Sequence, residues 1–553
     1  MTSILAFATS PAPNEKRIRF AFSVAFLVMV LTAIMRHLWG NGFISEFHAD
    51  FTDTLLWAEA SCEAGRLASP DFHYVYFIPF GGNLLMNLFI PLFGVGVTTM
   101  RCGMTVMILI MCIVSIVFFR SLFGGEARAF VASAVLFCLL CSTMKLREVF
   151  FSHVIHYSLG ACFLMVACVV LGAMAQPGKE NSPVRKMLFG MLLAWVASCG
   201  PTMLLYVAMP VLGGIVVWRM FDRTSLFVTA RRDGSWFCCG VVGVMVGLAL
   251  RLWLAGDLLP TYHMGTASYA DFYEQLCAPK YWIPNLEKLP VQWLTLFFDM
   301  PPPHTKIATP AGVRIAACIV CGIMLAIMPA LAWLRYGDFS DKARFVLIFH
   351  WVLASGILFY WVFGNISNSN WRLSPLIFTG FAICAYMVRG FWRSQSVQSR
   401  RIAVVAMVGA ISFSAHLPVV MTCKTADTSV WFGKKSLLSM IEATGADYGY
   451  CSNFWFSNAI TVLTNGRIKM REIIPLKSGG WQRRQYQSAD HWYAPDSKRK
   501  KTVFVCYKQQ EKLAPKGKIL ARRSCRQWDS RNNVMIDFRI FVYDGDFPQN
   551  LYP

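Results

Sequence analysis

The sequence predicts a polytopic α-helical membrane protein with a folded domain outside the membrane at its C-terminal end. Apolar stretches of membrane-spanning length recur from about residue 20 to residue 421, and 56% of the 553 residues are hydrophobic. About 20 apolar residues cross the hydrocarbon, and backbone groups there must bond within the segment, so such stretches form helices. Residues 422–553 contain no such stretch, and in several of their segments apolar and polar residues alternate as they do in β-strands. We therefore predict a transmembrane domain, 1–421, followed by a soluble α/β or mostly β domain, 422–553.

The N-terminal segment sets the predicted orientation. A basic cluster at 16–19 precedes the first span, about 20–35, and no small-residue cleavage site follows that span. The span is therefore predicted to be retained, with its basic end in the cytoplasm. The following loop, about 37–101, is then periplasmic. Its apolar segment 84–97 is interrupted by Pro91, so we predict a re-entrant or interfacial segment there.

About eleven spans are predicted in all, the last near 402–420. The loops that fall inside by this count are rich in Arg and Lys, which makes the topology self-consistent. A long loop, about 256–310, and a short one, GNISNSNWR, ending at Arg372, fall outside. The terminal domain, 422–553, also falls outside, with the N-terminus in the cytoplasm. In a bacterium with a periplasm, this topology predicts a multi-pass inner-membrane protein whose C-terminal domain is periplasmic.

The terminal domain is strongly basic. It holds 22 Lys and Arg against 11 Asp and Glu, a net +11 that is half of the chain's +22. Such a surface suits either phosphate groups of a substrate or the anionic face of a membrane. The segments YGYCSNFW, AITVLTNGRIKMREI and VMIDFRIFVYD are interpreted as strands. In an oxidising compartment one or two disulfides could form among four cysteines, Cys423, Cys451, Cys506 and Cys525, in a pairing that the sequence does not determine.

The first outer loop carries the strongest candidates for chemistry. Asp50 and Asp53 are three residues apart in HADFTDTLLWAEA, so on a short helix both lie on one face. Glu46 lies nearby and is a candidate substrate-binding residue. Both aspartates could instead cap a helix N-terminus. Polar clusters beside membrane-embedded segments are costly to retain, which favours a functional role. Downstream, three candidate substrate-binding residues precede a Pro and Gly-Gly turn: His73, Tyr74 and Tyr76.

Further outer loops supply a second set of polar candidates. The segment KLREVFFSHVIHYS contains Arg147, His153 and His156, and the long outer loop contains Tyr262 and His263 among many aromatics. Aromatic rings stack on sugars, but Trp and Tyr also gather at membrane interfaces whatever the function. Arg372 lies on the outer side, against the positive-inside bias, which favours a function over snorkelling.

The sequence does not support nucleic-acid binding or a metal site. The basic residues lie at span ends and in the terminal domain without any nucleic-acid fold signature, so membrane lipid and not nucleic acid is the expected anionic partner. The 18 cysteines are mostly dispersed through apolar spans, where a free Cys behaves as a small hydrophobe, so no zinc site is predicted. Asp50 and Asp53 with Glu46 could ligate a divalent cation, but the spacing is not a recognised metal site, so no metal or other cofactor is predicted.

The layout of the whole chain resembles the GT-C glycosyltransferases, and in particular bacterial membrane enzymes that modify O-antigen or other surface polysaccharides. The resemblance rests on HADFTDTLLWAEA with Asp50 and Asp53, on SPDFHYVYFIPFGGNLL, on NWRLSP at Arg372, and on YGYCSNFWFSNAITVLTNGRIKMREI. It implies a hexosyltransferase that takes its sugar from undecaprenyl phosphate and passes it to a periplasmic polysaccharide or lipopolysaccharide acceptor.

The resemblance also implies a mechanism. A first-loop acid, here Asp50 or Asp53, acts as the base, while Arg372 and Arg147 bind the donor phosphate and the reaction inverts the anomeric configuration. Many members have Arg-Tyr before a proline at the late span, whereas this chain has Arg372-Leu373 before Pro375. Two alternatives stay open at this point: a transporter or flippase for a lipid-linked saccharide, and a noncatalytic partner in polysaccharide assembly.

Overall fold

A computed structural model describes most of the chain. The described residues are 13–47, 49–66, 68–74, 82–152, 157–172, 182–221, 226–253, 276–299, 304, 306, 308–367, 369–394, 396–414, 436–477, 479–484, 487–529 and 534–546.

Long apolar helices dominate residues 13–414. Seven helices of the described ranges are long and apolar enough to cross a membrane: Asn14–Trp39, Val97–Phe123, Pro201–Phe221, Gly234–Trp253, Pro310–Trp333, Asp341–Phe363 and Pro375–Trp392. An eighth is present if Glu126–Leu140 and Met144–Ser152, which are bent by 113° relative to each other, form one broken span. Further helices are Tyr157–Leu171, Pro183–Ser198 and Val397–Ser414. The chain is thus a helical membrane protein, while the total of about eleven spans stays a prediction.

Local sequence signals fix where these helices begin and end. Pro310 occupies the first turn of its helix, and the preceding Thr309 caps it by accepting a hydrogen bond from the backbone N–H of Gly312 at 3.2 Å. Gly124, with a φ of 65°, ends helix Val97–Phe123 in the left-handed conformation that glycine adopts without strain. The predicted re-entrant segment 84–97 overlaps helix Gly82–Phe93, which includes Pro91.

The terminal domain is a mixed α/β fold, as predicted. Its six strands are β1 (Tyr448–Cys451), β2 (Lys469–Pro475), β3 (Trp481–Arg483), β4 (Lys501–Tyr507), β5 (Ile519–Asp529) and β6 (Val534–Asp544). They form one sheet in the order β3-β2-β1-β4-β6-β5. β1 runs parallel to β2 and β4, whereas β6 is antiparallel to β4 and β5.

Two expectations for this domain need correction. AITVLTNGRIKMREI is not one strand: helix Phe454–Leu463 takes its first part, and β2 begins only at Lys469. The helix forms because Asn453 accepts a hydrogen bond from the backbone N–H of Phe456 at 3.3 Å, and because parallel neighbours such as β1 and β2 need a crossover. Three of the four cysteines considered for disulfides, Cys451, Cys506 and Cys525, are buried free thiols, and Cys423 lies outside the described residues.

The first outer loop and the terminal domain lie on the same side of the membrane helices and pack against each other. The loop contains a helical turn, Ala49–Thr52, that leads into helix Asp53–Glu63, which we call the loop helix. The turn packs on helix Phe454–Leu463 of the terminal domain. Farther along the loop, Phe72 forms an isolated antiparallel bridge with Ala489. Residues more than 400 positions apart in the sequence thus meet at one end of the membrane helices.

Candidate active site

Asp53 is the first residue of the loop helix, and its carboxyl group is buried. The side chain is only 6% exposed, and burial, followed by the negative charge of half-buried Asp50, raises the pKa of Asp53 from 3.8 to about 7. Two groups of the terminal domain act in the opposite direction: a hydrogen bond from the Gln487 side chain and the charge of Arg484. The Oδ2 atom of Asp53 has no hydrogen-bond partner within the described residues. This carboxyl group can therefore take up and release a proton near neutral pH.

Capping does not explain Asp53. Thr52 is the N-cap residue of the loop helix, and it makes no side-chain capping hydrogen bond. Asp53 follows it inside the first turn, where the helix dipole would favour a carboxylate and lower its pKa. Because the pKa is raised instead, burial outweighs the dipole at this position. A buried carboxyl of this kind is common at active sites, where proton transfer needs a pKa near the working pH.

Glu46 and Arg147 meet in a second buried cluster. The Nη2 atom of Arg147 lies 2.5 Å from Glu46 Oε1, and Glu46 Oε2 lies 3.4 Å from the Nε2 atom of His37. Burial alone would raise the pKa of Glu46, but the Arg147 charge and the bond to His37 lower it to about 2. Asp299, from the long outer loop, lies near enough to interact electrostatically with Arg147. The cluster thus joins three segments that are distant in sequence.

All three guanidinium nitrogens of Arg147 donate to groups of the protein. Nε and Nη2 bond to the carboxylate of Glu46, and Nη1 donates to the backbone carbonyl of Cys141 at 2.8 Å. The phosphate-binding role of Arg147 stays a prediction.

Arg372 lies in a buried turn next to the segment that carries Arg147. The turn is Asn370–Leu373, and Arg372 itself is 2% exposed. Its neighbour Trp371 has the ammonium of Lys145 at 4.7 Å from its ring centroid, and the Tyr206 hydroxyl donates to the carbonyl of Arg372 at 3.4 Å. The two arginines predicted to bind phosphate therefore sit on contacting segments.

His73 and Tyr74 hold the loop together in this conformation. The Nε2 atom of His73 lies 2.5 Å from Oδ1 of Asp490 in the terminal domain. The Tyr74 hydroxyl accepts from the N–H of Ser69 at 2.9 Å and donates to its carbonyl at 3.1 Å, while its ring packs on Trp57. Their predicted substrate contacts stay predictions. Five further predicted substrate-binding residues, Tyr76, His153, His156, Tyr262 and His263, lie outside the described residues. The predicted substrate contact of Glu46 stays a prediction.

Charged pairs clamp the loop helix onto the terminal domain. Arg471 on β2 forms a bidentate, fully buried pair with Glu59, with N to O distances of 3.0 and 3.2 Å. One turn later, Glu63 accepts from Lys469 at 2.6 Å and from the indole N–H of Trp492 at 2.7 Å. Removing one partner of a buried ion pair strongly destabilises a protein, because the other charge is left buried and unpaired. These contacts therefore fix how the loop helix docks on the terminal domain.

Several residues of the candidate site were not identified from the sequence. Gln487, Arg484 and Asp299 come from segments far from the first loop, and a single amide or acid in a polar domain gives no periodic or motif signal. Glu59 was missed as well, although a Glu inside the otherwise apolar run TLLWAEA is a signal that could have indicated a buried, paired carboxylate.

No group of three or more His, Cys, Asp and Glu side chains within the described ranges is placed to hold a metal ion. The expectation that the protein needs no metal stays a prediction.

Comparison with known proteins identifies the fold. No family model and no curated protein sequence matches the chain. Among solved structures, the crystal structure of ArnT from Cupriavidus metallidurans bound to undecaprenyl phosphate is similar, with a TM-score of 0.54 and 14% sequence identity. The alignment covers 98% of this chain and 100% of that one, so it includes both the membrane helices and the terminal domain. The chain therefore shares the overall fold of that structure, with a six-stranded sheet domain at its C-terminal end.

Proposed function

We propose that the protein is a membrane glycosyltransferase that takes a sugar from a polyprenyl-phosphate donor, with Asp53 as the catalytic base. One observation carries the proposal: in a GT-C fold, the first outer loop presents a buried carboxyl with a pKa of about 7 and one oxygen without a hydrogen bond within the described residues. A general base works best when its pKa lies near the operating pH. The undecaprenyl phosphate in the similar ArnT structure supports a lipid-linked donor.

A single carboxylate is sufficient for the proposed reaction. Asp53 takes the proton from an acceptor hydroxyl, whose oxygen attacks the anomeric carbon and forms the new glycosidic bond. The bond between that carbon and the phosphate oxygen breaks on the opposite face, so the configuration inverts. The polyprenyl phosphate leaves as a stabilised anion and needs no general acid.

Within this mechanism Asp53 is a better base than Asp50. Asp53 is the more buried of the two, and burial raises the pKa of its carboxyl to about 7. Asp50 contributes the like charge that helps to raise it. We further propose a polysaccharide or lipopolysaccharide acceptor in the periplasm and an inner-membrane location, on the strength of the basic inner loops and the basic terminal domain.

The direct test is sugar transfer by the purified protein in detergent, with radiolabelled undecaprenyl-phosphate sugars and crude O-antigen acceptor. Donor-dependent labelling of the acceptor supports the proposal. If donor is never consumed but the protein moves a fluorescent polyprenyl-phosphate lipid across reconstituted vesicles, the protein is a transporter. If the protein shows neither sugar transfer nor lipid transport, it is a noncatalytic assembly partner.

In the pH profile of kcat, Asp50→Asn is expected to shift the acidic limb by about one pH unit toward lower pH. The Asp50 charge disfavours ionisation of Asp53, so its removal lets Asp53 ionise at lower pH. The measurement is transfer at saturating donor between pH 5 and 9. Asp338→Asn, an exposed acid in another loop, is the matched control and should leave the profile unchanged. An acidic limb that stays in place in Asp50→Asn contradicts the coupling.

Arg372→Ala is expected to lower kcat by about 10²-fold, because a fixed cation no longer stabilises the charge that develops on the leaving phosphate. Arg372→Lys should recover part of the rate, since it restores charge without the planar fork. Arg120→Ala is the control, because Arg120 is an exposed arginine at the end of helix Val97–Phe123. Equal rates for Arg372→Ala and Arg120→Ala would remove Arg372 from the mechanism.

A further inference from the structure

We propose that a cavity between the membrane helices binds an anionic phospholipid, with the lipid phosphate at a group of arginines and an acyl chain along the apolar wall. The cavity lies at the end of the helices far from the terminal domain, so it is separate from the candidate active site. The inference goes beyond the proposed function and does not depend on sugar transfer.

The cavity has a volume of about 800 Å³, and we call it the inner cavity. Five helices and Phe123 surround it, and most of its wall is hydrocarbon, including the side chains of Phe22, Val131, Val135, Leu325, Phe381 and Ala385. Water in such a space would find few polar partners, whereas an acyl chain would fit its chemistry. Phe22 is 77% exposed, so the cavity opens sideways toward the space that the bilayer occupies.

The position of the inner cavity along the helices follows from helix Val97–Phe123. At its first residue, the N–H of Val97 donates to the side-chain oxygen of Asn465 in the terminal domain at 3.3 Å. Phe123, at the last residue, is about 40 Å away at 1.5 Å per residue. The arginine end of the cavity therefore lies on the side opposite to the terminal domain. In the predicted orientation this is the cytoplasmic leaflet, which is rich in anionic lipids.

Two arginines from different helices meet at this end of the cavity. Nη1 of Arg128 donates to the carbonyl of Phe123 at 3.4 Å, and Nη1 of Arg389 donates to the same carbonyl at 3.2 Å. A carbonyl is neutral, so these bonds orient the two guanidinium groups without cancelling their charge. Two cations held at one acceptor repel each other, and an anion placed beside them would relieve that repulsion. A phosphate is the anion that paired guanidinium groups bind best.

The charge at this end is not balanced by acids of the wall. A third arginine of the lining, Arg19, forms an ion pair with Glu15 at the start of the first helix. Among the described residues that line the cavity, none is Asp or Glu. Arg128 and Arg389 also cap the end of helix Val97–Phe123, but one cation would be enough for a cap. The second cation, next to an open apolar cavity, favours a bound anion with a hydrocarbon tail.

The length of the apolar wall fits one lipid leaflet. Along helix Glu126–Leu140 the lining extends from Arg128 to Leu139, which is about 16 Å of helix. The hydrocarbon of one leaflet is about 15 Å thick, half of the bilayer core. A phospholipid whose phosphate lies at Arg128 and Arg389 would therefore extend its acyl chain along the whole cavity.

The test measures which lipids stay bound to the purified protein in detergent. Phosphatidylglycerol and phosphatidylcholine with the same acyl chains are added in equal amounts, and native mass spectrometry counts the protein that carries each. The wild type is expected to prefer phosphatidylglycerol by about tenfold, and Arg128→Gln combined with Arg389→Gln should abolish the preference. Arg120→Gln is the matched control and should keep it. Arg120 is exposed at the same end of the helices, pairs with Glu126 at 3.1 Å and does not line the cavity.

A second variant tests the apolar part of the site and leaves the arginines in place. Ala385→Phe fills the cavity and should lower the bound phosphatidylglycerol by about tenfold. Equal retention of the two lipids by the wild type overturns the proposal, as does a preference that survives in both the double arginine variant and Ala385→Phe. If undecaprenyl phosphate, added at the same concentration, displaces phosphatidylglycerol completely, the cavity belongs to a polyprenyl phosphate and the assignment to a phospholipid is wrong.

Discussion

Asp53→Asn is expected to transfer sugar about 10²- to 10⁴-fold more slowly than the wild type, because an amide cannot accept the proton of the acceptor hydroxyl. Asparagine keeps the shape of the side chain, so donor binding should change little. The measurement is kcat at saturating donor together with the affinity for donor. Asp447→Asn, an exposed acid in the terminal domain, is the matched control and should retain the wild-type rate.

The same variant should be at least as stable as the wild type at pH 8. The pKa of Asp53 rises from 3.8 to about 7 on folding, so the folded state holds this proton more tightly than the unfolded state. Stability is therefore lost as the pH rises from about 4 to about 7, and the ionised carboxylate is a net cost above that range. Thermal melts in detergent at pH 5 and pH 8 measure the effect. A folded, stable and fully active Asp53→Asn protein would contradict the proposed base.

Arg471→Met is expected to destabilise the protein by about 3–5 kcal/mol, because it leaves the Glu59 carboxylate buried without its bidentate partner. The variant also loses the contact of the Arg471 guanidinium with the Trp492 ring, at 3.6 Å from the centroid. The measurement is unfolding of the purified protein by heat or denaturant, followed by tryptophan fluorescence.

Two further variants make the stability experiment specific. Arg526→Met removes an arginine that is 77% exposed and 2.9 Å from Asp537, so it should cost no more than about 1 kcal/mol. Glu59→Gln combined with Arg471→Met removes the buried charge and should recover part of the loss. If Arg471→Met is no less stable than Arg526→Met, the buried pair does not hold the loop helix in place.

The membrane helices could be predicted because their hydropathy is a property of a whole segment and does not depend on any single residue. Twenty consecutive apolar residues leave few alternatives, and prolines and glycines such as Pro310 and Gly124 mark helix ends directly. Helix Phe454–Leu463 was misassigned because its residues FWFSNAITVL are rich in β-branched and aromatic side chains, which favour strands locally. The crossover between the parallel strands β1 and β2 overrides that preference, and no local pattern shows it.

The candidate site was predictable only in part. Asp53 stood out as an acid beside a membrane segment, and Glu46 and Arg147 were both identified, although their pairing was not. Arg484 was not identified, since a single basic residue in a basic domain gives no periodic or motif signal. The choice between Asp50 and Asp53 likewise depends on which of the two carboxyl groups is buried. Their separation of three residues in the sequence does not determine this.

The pairing of Glu59 with Arg471 also dictates an order of assembly during synthesis. The two residues are 412 positions apart, and at common rates of translation the second follows the first by on the order of tens of seconds. During this interval the loop helix has been made, but the arginine that neutralises its buried acid has not. The nascent loop must therefore keep Glu59 in contact with water or with a chaperone until the last domain folds. The loop helix then reaches its docked position only when the final segments of the chain fold against it.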